Sequence, residues 1–144
     1  MGLLDRFFKK SPKRNKDTGT ALERYWKSFN HAIDGIIYCI KNEHNMIIII
    51  LATIIATIFG FICNVNGYEW LFIITICGLI AACEVINSSI EATIDLITVD
   101  IHPLAKIAKD TASSATLILC IVALIGAIII FVPKIGVLLW KINC

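Results

Sequence analysis

The residues with the capacity for chemistry gather between positions 84 and 110. The stretch Glu84-Val-Ile-Asn87-Ser-Ser-Ile-Glu91-Ala-Thr-Ile-Asp95 places an acid or an amide at nearly every turn of a helix. At about 100° per residue, Glu84, Glu91 and Asp95 fall within roughly 20° of one line, and Asn87 stands about 60° to the side of Glu84. A column of carboxylates calls for cations. A divalent metal held by Glu91 with a second carboxylate would answer that need and bring phosphates with it, since Mg²⁺ takes one or two protein carboxylates plus phosphate oxygens. Polar residues in a membrane bundle also serve as glue between helices, but glue accounts for one polar residue better than for an ordered column.

The next segment supplies the positive complement: His102-Pro103-Leu-Ala-Lys106-Ile-Ala-Lys109-Asp110-Thr-Ala-Ser-Ser. Lys109 is read as lying just before an apolar helix that Asp110 or Thr111 caps, where the first free N–H groups receive an anion such as phosphate. Lys106 reads as ordinary flanking charge. Glu43 precedes the first apolar run and can face Glu91 across a bundle, although by position alone it is a solvated interfacial acid. His31, taken alone, is a polar-face residue of a surface helix.

The elements that must position these groups follow from hydropathy. The chain has 144 residues, 58% of them hydrophobic and 17% charged, with mean hydropathy +0.81, too apolar for an ordinary soluble domain. Residues 1–19 form a basic arm suited to an anionic leaflet, or a solvated tail. From 20 to 41, Leu22, Tyr25, Trp26, Phe29, Ile33, Ile36, Ile37 and Ile40 keep helical spacing, which predicts an amphipathic helix in the membrane interface. Three spans are expected: 46–63, 70–98 with a polar second half, and 112–132 closed by Pro133. A loop over 99–110 and a short apolar tail, 135–144, complete the chain. The expected fold is all-α and integral to the membrane.

Charge sets the expected orientation. Residues 1–41 hold nine of the thirteen Lys and Arg, and Lys106 and Lys109 follow the second span, which places the N-terminus and the 99–110 loop in the cytoplasm. Counted from Trp70 at about 1.5 Å per residue, Glu84 lies roughly 21 Å into a layer about 30 Å thick. An ionisable residue so deep costs about 2.5–3.5 kcal/mol on insertion scales and marks function or pairing. Six scattered cysteines form no CxxC pair or metal cluster. P-loop, GxGxxG, kinase HRD/DFG and GxSxG patterns are absent, and the basic arm lacks the interleaved aromatics of a nucleic-acid binder.

Taken together, Glu84-xx-Asn87-Ser-Ser-Ile-Glu91-xxx-Asp95 and His-Pro-Leu-Ala-Lys-xx-Lys109-Asp110 resemble the signature of the prokaryotic diacylglycerol kinase and undecaprenol kinase family of small membrane lipid kinases. The likeness covers roughly residues 20–134, including Arg24-xx-Lys27-Ser28-Phe and Phe-Val-Pro-Lys-Ile. It implies an ATP- and Mg²⁺-dependent lipid kinase in a bacterial cell membrane, with a surface helix and three spans per subunit, assembled as a homotrimer with shared active sites. By motif position, Glu43 and Glu91 look like the Mg²⁺ ligands and Glu84 like the base facing the lipid hydroxyl, with Ser28 also on the lipid side. Arg24, His31, Asn87, Asp95, Asp100, His102, Lys109 and Asp110 look like nucleotide-binding or supporting groups. Ile47 and Ile49 depart from the pattern, standing where a polar residue is expected. The HPLAK and FVPKI segments look more like the Gram-positive undecaprenol kinases, with diacylglycerol kinase as the alternative. From a different class, a small channel or proton-coupled transporter would use the acids as an ion path but leaves Lys109-Asp110 unexplained.

Overall fold

The computed structural model describes residues 20–97 and 102–143, and of 141–143 the backbone alone. The described residues form four helices: α1 (Ala21–Asn42), α2 (His44–Ile62), α3 (Gly67–Ile97) and α4 (Pro103–Asn143). The basic arm 1–19, Asp100 and Cys144 lie outside them. The chain divides into two compact units after Asp34.

The first unit contains the start of α1. A capping box opens it: the Thr20 N–H donates to Glu23 Oε2 at 3.0 Å, and the Glu23 N–H returns to Thr20 Oγ1 at 3.4 Å.

In the second unit, α2 and α3 form a tight hairpin whose closure is local chemistry. Asn64 adopts φ 48°, the left-handed conformation that Asn tolerates, and ends α2. The Asn64 N–H bonds the Phe61 carbonyl and the Val65 N–H bonds that of Gly60, which satisfies two carbonyls that α2 leaves open. Asn66 then caps α3, its Oδ1 accepting the Tyr68 and Glu69 N–H groups at 3.0 Å each, and Glu69 Oε2 accepts the Asn66 N–H in return. The polar run 64–69 is therefore only part loop, and Glu69 belongs to the first turn of α3.

Three helices are long and apolar enough to cross a membrane: His44–Ile62, Gly67–Ile97 and Pro103–Trp140, with hydropathies of 2.5, 2.0 and 3.1. Their outward surfaces carry exposed Ile48, Ile55, Ile58, Leu71, Ile74, Leu124 and Ile129, the apolar exterior that lipid tolerates and water does not. Inside, Val65, Ile73 and Ile130 are buried together with Trp70, Phe72 and Phe131 against them. Gly126 lets α4 approach α3 closely, since a Cβ there would overlap the Phe72 ring.

Helix α4 differs from expectation at both ends. The predicted loop over 99–110 is helical from Pro103 onward, because proline at the first helical position is preset in φ and lacks only an N–H that the helix could not have used. His102 is the residue that caps it: its Nδ1 accepts the Leu104 N–H at 3.2 Å and its carbonyl accepts the Lys106 N–H. The expected cap at Asp110 or Thr111 is thus corrected. Those residues lie two turns inside, where their carbonyls accept the Ser113 and Ser114 hydroxyls. Nor does Pro133 close the helix, which runs through it to Asn143. A proline inside a helix forfeits one backbone bond, and a spanning helix tolerates that loss where the freed carbonyl is satisfied locally. The expected apolar tail over 135–144 is therefore largely an extension of α4.

Candidate active site

Two ion pairs mark the antiparallel register of α3 and α4. Glu69 Oε2 meets Lys134 Nζ at 3.0 Å at one end, and Asp95 Oδ1 meets Lys109 Nζ at 2.5 Å at the other. At about 1.5 Å per residue the pairs are roughly 38 Å apart along the helices, bracketing a hydrocarbon layer of about 30 Å. Each step along α3 is matched by a step back along α4, so by level along the helices Asn87 comes opposite Thr116 or Leu117 and Glu84 opposite Leu119 or Cys120. Glu84 itself is about 22 Å from the Glu69 level and about 16 Å from that of Asp95.

The acidic column descends from surface to interior. Asp95 is 65% exposed beside its lysine, Glu91 is half-buried, and Glu84 is 1% exposed. Asn87 and Ser88, each 3% exposed, lie between them. The Asn87 amide donates to Glu91 Oε1 at 3.0 Å, and Ser88 Oγ donates to the Glu84 carbonyl at 3.0 Å. That leaves three side-chain atoms in this neighbourhood buried without a partner: Glu84 Oε1, Asn87 Oδ1 and Thr116 Oγ1. Desolvated polar atoms without partners are costly and are kept where a ligand completes them.

The other predicted site residues are placed as follows. Glu43 is the half-buried, extended residue between α1 and α2, at φ −107° and ψ 114°. Its backbone N–H donates to the Cys39 carbonyl. Among the described residues no three His, Cys, Asp or Glu side chains converge as a metal cluster. The carboxylate of Glu91 nonetheless fits Mg²⁺: it is a hard oxygen donor, steadied by Asn87, at the wet end of the column, and such an ion fills most of its shell with water and phosphate. Lys109 joins the column directly. Asp110 is exposed and about 100° round the helix from it, and His102 is occupied as the α4 cap. In the first unit, Arg24, Ser28 and His31 are exposed on α1, with His31 Nδ1 4.0 Å from Asp34. Ile47 is exposed, whereas Ile49 lines an apolar cavity of about 330 Å³ between α2, α3 and α4.

A second groove, of about 480 Å³, flanks the column, lined by Gly35, Tyr38 and Cys39 of α1 and by Val85, Ser88 and Ala92 among others of α3. Thr116 and Ser88 were not singled out in the sequence. The signal for Thr116 was its spacing: it lies seven residues from Lys109 on the less exposed stripe Lys109, Ala112, Thr116, Leu119, Ala123, Ile130 and Lys134.

Comparison with known proteins identifies the family. The family described as prokaryotic diacylglycerol kinase matches residues 30–131. Undecaprenol kinase of Bacillus subtilis (strain 168) is 38% identical over 120 residues, covering 83% of this chain and 98% of the relative. Diacylglycerol kinase of Pseudomonas aeruginosa is 30% identical over 96 residues, 67% of this chain and 78% of the relative. Diacylglycerol kinase of Helicobacter pylori (strain J99) is 34% identical over 96 residues, 67% and 75% of the two chains.

Proposed function

The chain belongs to the prokaryotic diacylglycerol kinase family of membrane lipid kinases, and from that premise we propose that it transfers the γ-phosphate of ATP to undecaprenol, with Glu84 as the base. The observation that carries the chemistry is the buried, unpartnered Oε1 of Glu84 at the deep end of a carboxylate column whose shallow end holds a lysine. Likeness to the Bacillus undecaprenol kinase over nearly its whole length supports the acceptor. The alternative acceptor is a diacylglycerol, as the names of the other relatives suggest.

Phosphoryl transfer requires positioning and charge neutralisation more than covalent help from the protein. Lys109, held by Asp95, offers its ammonium to the phosphates at the wet end. Glu91 and Glu43 would hold Mg²⁺, which supplies charge neutralisation on the phosphate oxygens when bound. Asn87 orients Glu91, while Arg24, His31, Asp100, His102 and Asp110 remain proposed nucleotide-side groups and Ser28 a lipid-side one. Glu84 takes the proton of the acceptor hydroxyl, which enters from within the leaflet. Positive charge before the first span and at Lys106 and Lys109 supports a cytoplasmic nucleotide side. An interfacial α1 and a homotrimer with shared sites, which the family resemblance implies, complete the reading, and the exposed apolar residues of α1 suit a helix lying in a lipid interface.

The test is phosphorylation from radiolabelled ATP by detergent-purified protein, with undecaprenol and a diacylglycerol offered separately, with Mg²⁺ or with EDTA. Labelled undecaprenyl phosphate formed in preference to phosphatidic acid, and only with Mg²⁺, is the expected result. The reverse preference assigns diacylglycerol as acceptor. Absence of any labelled lipid from folded protein refutes the reading.

A further inference from the structure

Hydroxyls in these spans are ordinarily spent on their own helix. Thr53 and Thr57 on α2, and Ser88 and Thr93 on α3, each donate to the carbonyl four residues back at 2.7–3.0 Å. Ser113 and Ser114 on α4 donate three residues back at 3.1 and 2.7 Å. Thr116 does neither: its Oγ1 is buried and unpartnered. It stands on the α4 stripe that carries Lys109, at about the level of Asn87 and about one turn from Glu84 toward the Asp95–Lys109 end. Of the other two orphaned atoms, Asn87 Oδ1 and the carboxylate oxygen Glu84 Oε1 accept, whereas Thr116 can donate.

A group that both donates and accepts would pair Thr116 with Glu84, and an alcohol is such a group. We propose that Thr116 orients the acceptor alcohol, its Oγ1–H donating to the acceptor oxygen while the acceptor O–H donates to Glu84 Oε1. With one lone pair engaged by Thr116, the other faces the Asp95–Lys109 end, from which the γ-phosphate arrives. As the acceptor oxygen bonds phosphorus, its proton passes to Glu84 and the bond from phosphorus to the β-γ bridging oxygen breaks, releasing ADP. The inference rests on the lipid-kinase reading and adds to it an acceptor-orienting residue from α4.

The experiment compares wild type, Thr116→Val and Thr116→Ser as full chains, measuring lipid and ATP kinetics and the unfolding temperature. Valine keeps the shape and removes the hydroxyl. It is expected to lower kcat/KM for the lipid alcohol about 10- to 100-fold, the size of effect that misplacing a reacting group produces. KM for ATP stays within about twofold, and serine restores most of the loss. The unfolding temperature of the valine variant holds or rises, because a buried unpaired hydroxyl has gone. A valine variant with lipid kcat/KM within threefold of wild type overturns the inference, as does a serine variant as impaired as valine. Should valine prevent assembly, Thr116→Ala is read by the same criteria. Wild-type protein that phosphorylates no lipid refutes the kinase reading itself, a result distinct from an active enzyme indifferent to position 116.

Discussion

Glu84→Gln isolates the base from everything else the residue does. Glutamine has the shape of glutamate, so a site only 1% exposed keeps its packing and no cavity forms. The substitution replaces a buried carboxylate that has an unpartnered oxygen with a neutral amide, which eases its desolvation, so the unfolding temperature is expected to hold or rise. What is lost is proton transfer. General-base catalysis contributes about 10²- to 10⁴-fold, equivalent to about 3–5.5 kcal/mol of barrier. In a steady-state assay with labelled ATP, kcat is expected to fall by that factor while KM for ATP stays within about twofold, because the nucleotide end of the column lies about 16 Å along α3 at Asp95. Glu84→Asp keeps the carboxylate but withdraws it by one bond and is expected to fall between the two. A glutamine variant within threefold of wild type would refute the assignment. So would a loss of activity that merely tracks a loss of folded protein, since the residue would then be structural.

Lys109→Met breaks an exposed ion pair, 35% and 65% exposed at its two side chains, of a kind worth about 0–1 kcal/mol. Its unfolding temperature is therefore expected to move little while kinase activity falls at least a hundredfold; comparable losses in both would make Lys109 a structural clip. Gly126→Leu drives a side chain into the Phe72 ring and is expected to cost about 1–3 kcal/mol by overpacking. Adding Phe72→Ala should recover part of that stability, as thermal unfolding of the single and double variants would show.

The all-helical architecture, the three spans and the acidic column were legible because each rests on local periodicity. Apolar length decides what crosses a bilayer, and the 3.6-residue repeat places Glu84, Glu91 and Asp95 on one face whatever surrounds them. The boundaries of α4 were less legible because two signals competed at each end. Pro103 reads as a breaker in water but starts a helix when His102 caps it. Pro133 reads as a stop, yet the helix continues through it, at the loss of one backbone bond.

Tertiary structure alone decided what stands opposite the column. The sequence by itself determined that Glu84 would be buried and polar. That its Oε1 lacks a donor, that Asp95 takes Lys109, and that the hydroxyl at the level of Asn87 belongs to Thr116 all depend on α4 running antiparallel to α3 in one register. Ion pairs separated by 14 residues at one end and 65 at the other mark that register. The physical reason is that periodicity within a helix is encoded by neighbours three and four residues apart, whereas a register between helices is chosen by close packing and by the pairing of distant charges.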